Sequence, residues 1–580
     1  MTSSPRHGPG LPQPHAQSAG AGGTSRALLF LSFHGLDRRL LIVLLMLASL
    51  VAMPFLALIV LSFGGFDARL WLHLHRTVLW PAVGTTLMLM MLVGIAVTLI
   101  GVATAWLVSV CRFPGRNILS FALLLPLALP TYVSAFAYIE FLGFSGPLQS
   151  AIRALFGYQS VRDYWFPDYR SVAGAALVMS LVLYPYVYLT ARASFTMQTA
   201  SLFDAARTLG AGPWKLFFKI ALPLAHPAII VGLALALMET VNDLGAVQFF
   251  GLRTLTTTVY EVWLNRSSLA TASQIACLFL GLVVLLLWFE RHARRAQRLY
   301  QNSGKSTDFE PITLHGARAV AAFAICALPV AFGFLVPVAV LSGSALRHVL
   351  LDGISDLAEP IVNSVSLGAV ATLVTVSAGC FFAYLVTVSR STLLAALVRF
   401  STLGYAVPGA VLAVGVLYPL ATFDNAVDGL MRATFGWKTG LILSGTGFAL
   451  VYAYFIRFLP MAYGSCETGF QRLSPNFGFA ARTLGRTQSA VLREIYLPLL
   501  QPALVTAAIL VFVDCMKELP ATLLLRPFNF NTLATRVYDS ASLEVFEQGA
   551  LPALAIVAVG LVPVILLSRQ NRRILRRPAL

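Results

Sequence analysis

The 580-residue chain is 58% hydrophobic and only 11% charged. Its mean hydropathy of +0.79 excludes an ordinary soluble globular domain and places the chain in a bilayer. The net charge of +17 does not point to nucleic acid. With the amino terminus placed in the cytoplasm, Lys and Arg gather in the inward segments, the pattern that the positive-inside rule gives.

Residues 1–36, rich in Gly, Pro, Ser and Ala, read as a disordered cytoplasmic tail. A first transmembrane domain follows over 37–292, with spans of about 20 apolar residues beginning near Leu40, Thr85, Ile118, Val172, Ala225 and Ser273. The polar stretch 293–317 is a cytoplasmic linker. It contains Gly304-Lys305-Ser306, but Leu299 stands where a phosphate loop needs its first glycine, so no nucleotide site is expected. A second transmembrane domain over 318–570 has spans beginning near Ala319, Asn363, Val398, Gly440, Leu500 and Gly549, and 571–580 is a basic tail. The expectation is an all-α membrane protein of about twelve transmembrane helices, in the cytoplasmic membrane with both termini inside. Its six scattered cysteines imply neither a disulfide framework nor a zinc site.

The two halves repeat. Gly101 in GVATAWLVS matches Gly379 in GCFFAYLVT, and Pro130 matches Pro408, both at a spacing of 278. Six spans per half give both copies one orientation, a parallel repeat whose halves face each other across a central path.

The segments DAARTLGAGPWKLFFKIALP from Asp204 and AARTLGRTQSAVLREIYLP from Ala480 fall after the fourth span of each half, 275 residues apart. In the first, Asp204 can cap a short helix, Gly210 can supply the left-handed turn that ends it, and Pro213 suits the first turn of the next. These spacings resemble the cytoplasmic loop E-A-A-x3-G-x9-I-x-L-P of the membrane subunits of ABC importers. Asp204, Ala205, Ala206, Gly210, Ile220, Leu222 and Pro223 fit it with Asp for Glu. In the second copy Ala480, Ala481, Gly485, Ile495, Leu497 and Pro498 fit, with Phe479 in the acid's place. VDCMKELPATLLLRPFNFNTLATRVYD from Val513 and NDLGAVQFFGLRTLTTTVY from Asn242 narrow the resemblance to the fused two-repeat permeases of ferric iron importers. Thiamine, phosphonate and polyamine importers have related permeases, so the cargo stays open among them.

The resemblance implies a type I importer fold that binds no cofactor itself. ATP is used by a partner, two copies of an ABC ATPase with one beneath each loop, and an extracytoplasmic binding protein delivers the cargo. A secondary transporter explains the paired loops poorly. No nucleophile–base pair, metal motif or nucleotide loop supports a membrane enzyme.

Glu239, Asp243, Asp514, Lys517 and Glu518 fall within or at the ends of the fifth and eleventh expected spans. A charge at mid-bilayer costs about 2.5–3.5 kcal/mol on insertion scales, so lipid-facing positions are disfavoured. The 275-residue offset matches Glu239 with Asp514 and Asp243 with Glu518, and the spacing of four within Glu239/Asp243 and within Asp514/Glu518 lets each half stack its two acids on one helix face. Four carboxylates can therefore face one path, with Tyr260 and Tyr538 as further oxygen donors suited to a hard trivalent cation. The alternative is structural: Lys517, next to Glu518, and a buried Arg neutralise the acids and lock the helices. Arg457 reads as snorkelling or ion-paired. His73 and His75 read as an interfacial surface.

Overall fold

The computed structural model describes residues 38–575 except 66, 199–207, 209, 211, 300–310, 354–356, 390 and 475. Among these, ten helices are long and apolar enough to cross a bilayer, and Arg116–Ala128 and Thr131–Phe156 reach that length and composition only together, with a bend of 93° between them. The place of the tenth expected span is taken by Gly447–Gln471. It carries Arg457, Glu467 and three tyrosines, yet occupies the bundle as Val172–Met197 does in the first half. Each packs along the second long helix of its own half, Trp80–Val110 or Ala358–Ser389.

The expected boundaries shift. The helix Leu269–Leu299 runs seven residues past 292, and Phe546–Leu575 passes 570, because neither helix meets a glycine or proline stop at the polar boundary. Beyond the undescribed 300–310, Ile312–Thr313 pairs in parallel with Cys111–Arg112. The linker is thereby fastened to the C-terminal end of the helix Trp80–Val110.

The halves exchange helices. The first helix, Arg38–Phe63, packs on Gly409–Phe435 of the second half. Reciprocally, the Tyr138 hydroxyl of the first half donates to the Phe332 carbonyl at 2.6 Å, on the first helix of the second half. Each of the two apolar cores combines helices of one half with the first and last helices of the other. Without water to drive association, close approach decides such seams. A Cβ on Gly415 would lie 2.5 Å from the Pro54 carbonyl oxygen across the halves, and within each half one on Gly101 would lie 2.7 Å from Val187 Cβ and one on Gly379 would lie 2.7 Å from Ala462 Cβ.

Four π turns, His75–Leu79, Phe217–Ala221, Ala331–Leu335 and Leu492–Tyr496, each end two residues before a proline, Pro81, Pro223, Pro337 or Pro498. Proline donates no N–H and its ring displaces the carbonyl four residues back. The chain absorbs this with one widened turn. This is the local role of the proline in both Ile-x-Leu-Pro motifs.

Candidate substrate path and coupling loops

The fifth and eleventh helices carry Glu239 and Asp514 but end before the second acid of each pair. Leu222–Asn242 stops before Asp243, and Leu497–Met516 stops before Lys517. Each chain then turns into a short helix, Gly245–Phe249 or Pro520–Leu525. Asp243 accepts from the Ala246 amide at 2.8 Å and from the Thr131 hydroxyl. Glu518 accepts from the amides of Ala521 and Thr522, both at 3.1 Å, and from the Thr522 hydroxyl at 2.9 Å. These two carboxylates hold the amides that open the short helices. They sit past the helix ends rather than stacked on one helix face with Glu239 and Asp514.

All four acids nevertheless line one cavity of about 330 Å³ between the halves, with Tyr132, Tyr186, Tyr405, Arg457 and Lys517. Tyr405, from the second half, donates to Glu239 Oε1 of the first at 2.8 Å. Lys517 Nζ lies 2.9 Å from Asp514 Oδ1. Its partner is thus the acid three residues back, which shares its side of the turn, and not adjacent Glu518. Glu518 has instead Arg457, whose Nη1 lies 3.6 Å from Oε1. Arg457 therefore does not snorkel; its side chain is 11% exposed and lines the cavity.

The repeats differ at aligned positions of this wall. Thr131, which binds Asp243, corresponds to Gly409, and Val182 corresponds to Arg457. A Cβ on Gly409 would fall 2.6 Å from both Arg457 Nη1 and Glu518 Oε1. The missing side chain makes room for the guanidinium. Sequence reasoning did not single out Tyr132, Tyr186, Tyr405 or Thr131. The matched prolines, Pro130 and Pro408, flagged their neighbourhood, and the Val182/Arg457 mismatch was readable from the repeat.

Tyr260 and Tyr538 do not line this cavity. Their side chains meet each other, and Tyr538 stacks on Phe249 with ring centroids 5.7 Å apart. Two repeat-related residues in contact lie on the axis relating the halves, beyond the short helices. Among the described residues no three His, Cys, Asp or Glu side chains are grouped to hold a metal ion. His73 and His75 are exposed; the first lies 3.4 Å from Arg266 and the second accepts from Trp80 Nε1 at 3.0 Å.

Of the expected coupling residues, Asp204, Ala205 and Ala206 lie outside the described residues. Gly210 and Gly485 both have φ of +79°, the left-handed conformation expected of each. In the second loop this turn closes the helix Asn476–Thr483, where Arg486 N donates to Ala481 O at 3.0 Å. Ala480 is exposed and Ala481 buried. Pro213 opens the helix Pro213–Leu216 as expected. Trp214 and Phe218, 76% and 56% exposed, stack with centroids 5.9 Å apart.

Residues 97–298 and 375–579 each match the family described as binding-protein-dependent transport system inner membrane component. The chain is 26% identical over 500 residues to the Fe(3+)-transport system permease protein FbpB 2 of Haemophilus influenzae, covering 86% of this chain and 91% of that one. It is 28% identical over 225 residues to the molybdenum transport system permease protein ModB of Escherichia coli, covering 38% of this chain and 95% of that one. It is also 28% identical over 255 residues to the sulfate transport system permease protein CysT of Escherichia coli, covering 42% of this chain and 87% of that one.

Proposed function

The chain belongs to the family of binding-protein-dependent transport system inner membrane components, and from that premise we propose that it is the permease of an ABC importer for ferric iron. An extracytoplasmic binding protein delivers the cargo to the path between the halves. The segments around Gly210 and Gly485 lie in the cytoplasm with both termini, and each seats one copy of a separate ATPase. ATP is bound and hydrolysed there, not by this chain.

The observation that carries the cargo assignment is the convergence of Glu239, Asp243, Asp514 and Glu518 from matched positions of the two halves on one cavity. Carboxylate and phenol oxygens are the donors a hard trivalent cation prefers. Asp243 and Glu518 are held by helix amides, which leaves Glu239, bonded to Tyr405, and Asp514, paired with Lys517, as the acids held by side chains that cargo can displace. A path must also release what it binds, and dispersed oxygens do this better than a closed cage. The relative's name for Fe(3+) transport over 91% of its length supports the same cargo.

The test is iron uptake by liposomes containing permease, ATPase and loaded binding protein. Glu239→Gln and Asp514→Asn should each reduce uptake by about tenfold or more, the equivalent of about 1.4 kcal/mol, with ATPase binding unchanged. Wild-type uptake rates in both variants would remove the acids from the path. Lys517 and Arg457 in the same wall, with relatives named for molybdenum and sulfate transport, favour a small oxyanion as the second reading. Excess molybdate or sulfate that abolishes cargo uptake would select it.

A further inference from the structure

Two hydrogen-bond donors of the cavity wall have nothing to donate to. Arg457 Nε and Nη1 and the Tyr132 hydroxyl are buried without a hydrogen-bond partner, and both side chains line the cavity. Glu518, the carboxylate nearest to Arg457, is turned toward the amides of Ala521 and Thr522 and the Thr522 hydroxyl. The guanidinium stays 3.6 Å from that carboxylate, an ion pair without a hydrogen bond. Buried polar groups left unpaired in a native fold mark a place where another molecule supplies the missing atom.

We infer that Arg457 and Tyr132 form an oxyanion subsite, so that the cation crosses this cavity as a complex with an oxyanionic ligand. The inference rests on the ferric-iron reading above. A bare cation would satisfy Glu239 and Asp514 but leave the unbonded N–H groups of Arg457 without an acceptor. A free oxyanion would satisfy Arg457 but face four carboxylates. A metal–oxyanion complex meets both: its metal turns toward Glu239 and Asp514, and its anionic oxygens accept from Arg457 and Tyr132. Charge-assisted pairs of guanidinium with oxyanion are among the stronger hydrogen bonds available. The cavity, about 330 Å³, is far larger than a naked ion needs. The first half offers no second arginine to match Arg457, because Val182 occupies the corresponding position and Thr131 fills the space that Gly409 leaves open.

The experiment uses the complete reconstituted importer with doubly labelled cargo: radiolabelled iron presented with radiolabelled phosphate in one arm and with radiolabelled citrate in the other. In the wild type, one of the two anions should accumulate in fixed ratio to iron, and the arm that does so identifies the source of the oxyanion. Arg457→Gln and Tyr132→Phe should each lower that anion-to-iron ratio by about tenfold, as expected for loss of one charge-assisted hydrogen bond, and Arg457→Lys should recover part of it. A purely structural role would lower iron entry without changing the ratio. If Arg457→Gln fails to insert, Tyr132→Phe, which alters no charge, decides alone. Iron entering the wild type with neither anion, or an unchanged ratio in the inserted variants, overturns the subsite. Absence of any iron uptake by the wild type defeats the ferric-iron reading itself.

Discussion

Adding one methyl group to Gly101 should separate two helices that now touch. The new Cβ would lie 2.7 Å from Val187 Cβ, 2.9 Å from Val187 Cγ1 and 3.0 Å from the Tyr188 amide nitrogen. Carbon atoms pack best at about 3.5–4.0 Å, so Trp80–Val110 must retreat by about 1 Å from Val172–Met197. Because Tyr188 N is backbone, no rotamer change avoids the move. A gap of about 0.5–1 Å forfeits a quarter to a half of each dispersion contact along the seam, and overpacking of this kind costs about 1–3 kcal/mol. Gly84, on the same helix, provides the control, since a Cβ there meets nothing within 4 Å. Gly84→Ala should be neutral or stabilising by up to about 1 kcal/mol through the lower entropy of the unfolded backbone. The two variants should therefore shift the apparent melting temperature of the purified permease in opposite directions, measured in one detergent at one protein concentration. Equal melting of Gly101→Ala and the wild type, with Gly84→Ala behaving as stated, would refute the close seam.

The turns at Gly210 and Gly485 give a different outcome. A valine at either should strain a backbone with φ of +79° by about 1–3 kcal/mol while meeting no neighbour. Uptake should fall with normal membrane abundance, and normal uptake in both variants would remove the coupling role. Asp424 is fully buried and accepts from the amides of Leu443 and Ser444, at 3.0 and 2.8 Å, and from the Ser444 hydroxyl at 2.6 Å. Asp424→Asn replaces one acceptor oxygen by a donor facing those N–H groups, so the connection 436–446 should loosen by about 1–3 kcal/mol. Faster tryptic cleavage at Lys438 would report it. The purified chain should hydrolyse no ATP until its partner is added, and hydrolysis by the rigorously purified chain would contradict the division of labour.

The repeat was legible because the two halves keep the same residue types at fixed offsets, and the convergence of four acids followed from that alone. Their roles did not follow. Glu239 and Asp243 are spaced like neighbours on one helix face, but the helix ends at Asn242, and the apolar Gly245–Phe249 that follows is indistinguishable by composition from more span. Tyr260 and Tyr538, at matching positions after these spans, were expected as further donors to the path and lie apart from the acids. Lys517 was assigned to Glu518 by adjacency, whereas the turn carries it back toward Asp514. The bend of 93° in the third expected span has its signal in Pro126 and Pro130, but prolines also lie inside spans that continue, as Pro185 and Pro460 do. Sequence alone did not tell the two cases apart.

The pairing of Val182 with Arg457 bears on why the two halves share one polypeptide. A permease assembled from two identical subunits would have to place this arginine twice or not at all. Two guanidiniums would then share a small cavity, only one of them relieved by the space that Gly409 leaves, and a threonine at the other site would crowd its partner. Joining the copies removes that constraint. Each lobe can drift separately at a wall position that both present to the same passenger, so a lopsided chamber, with two carboxylates on each flank but a guanidinium on only one, becomes heritable as a unit.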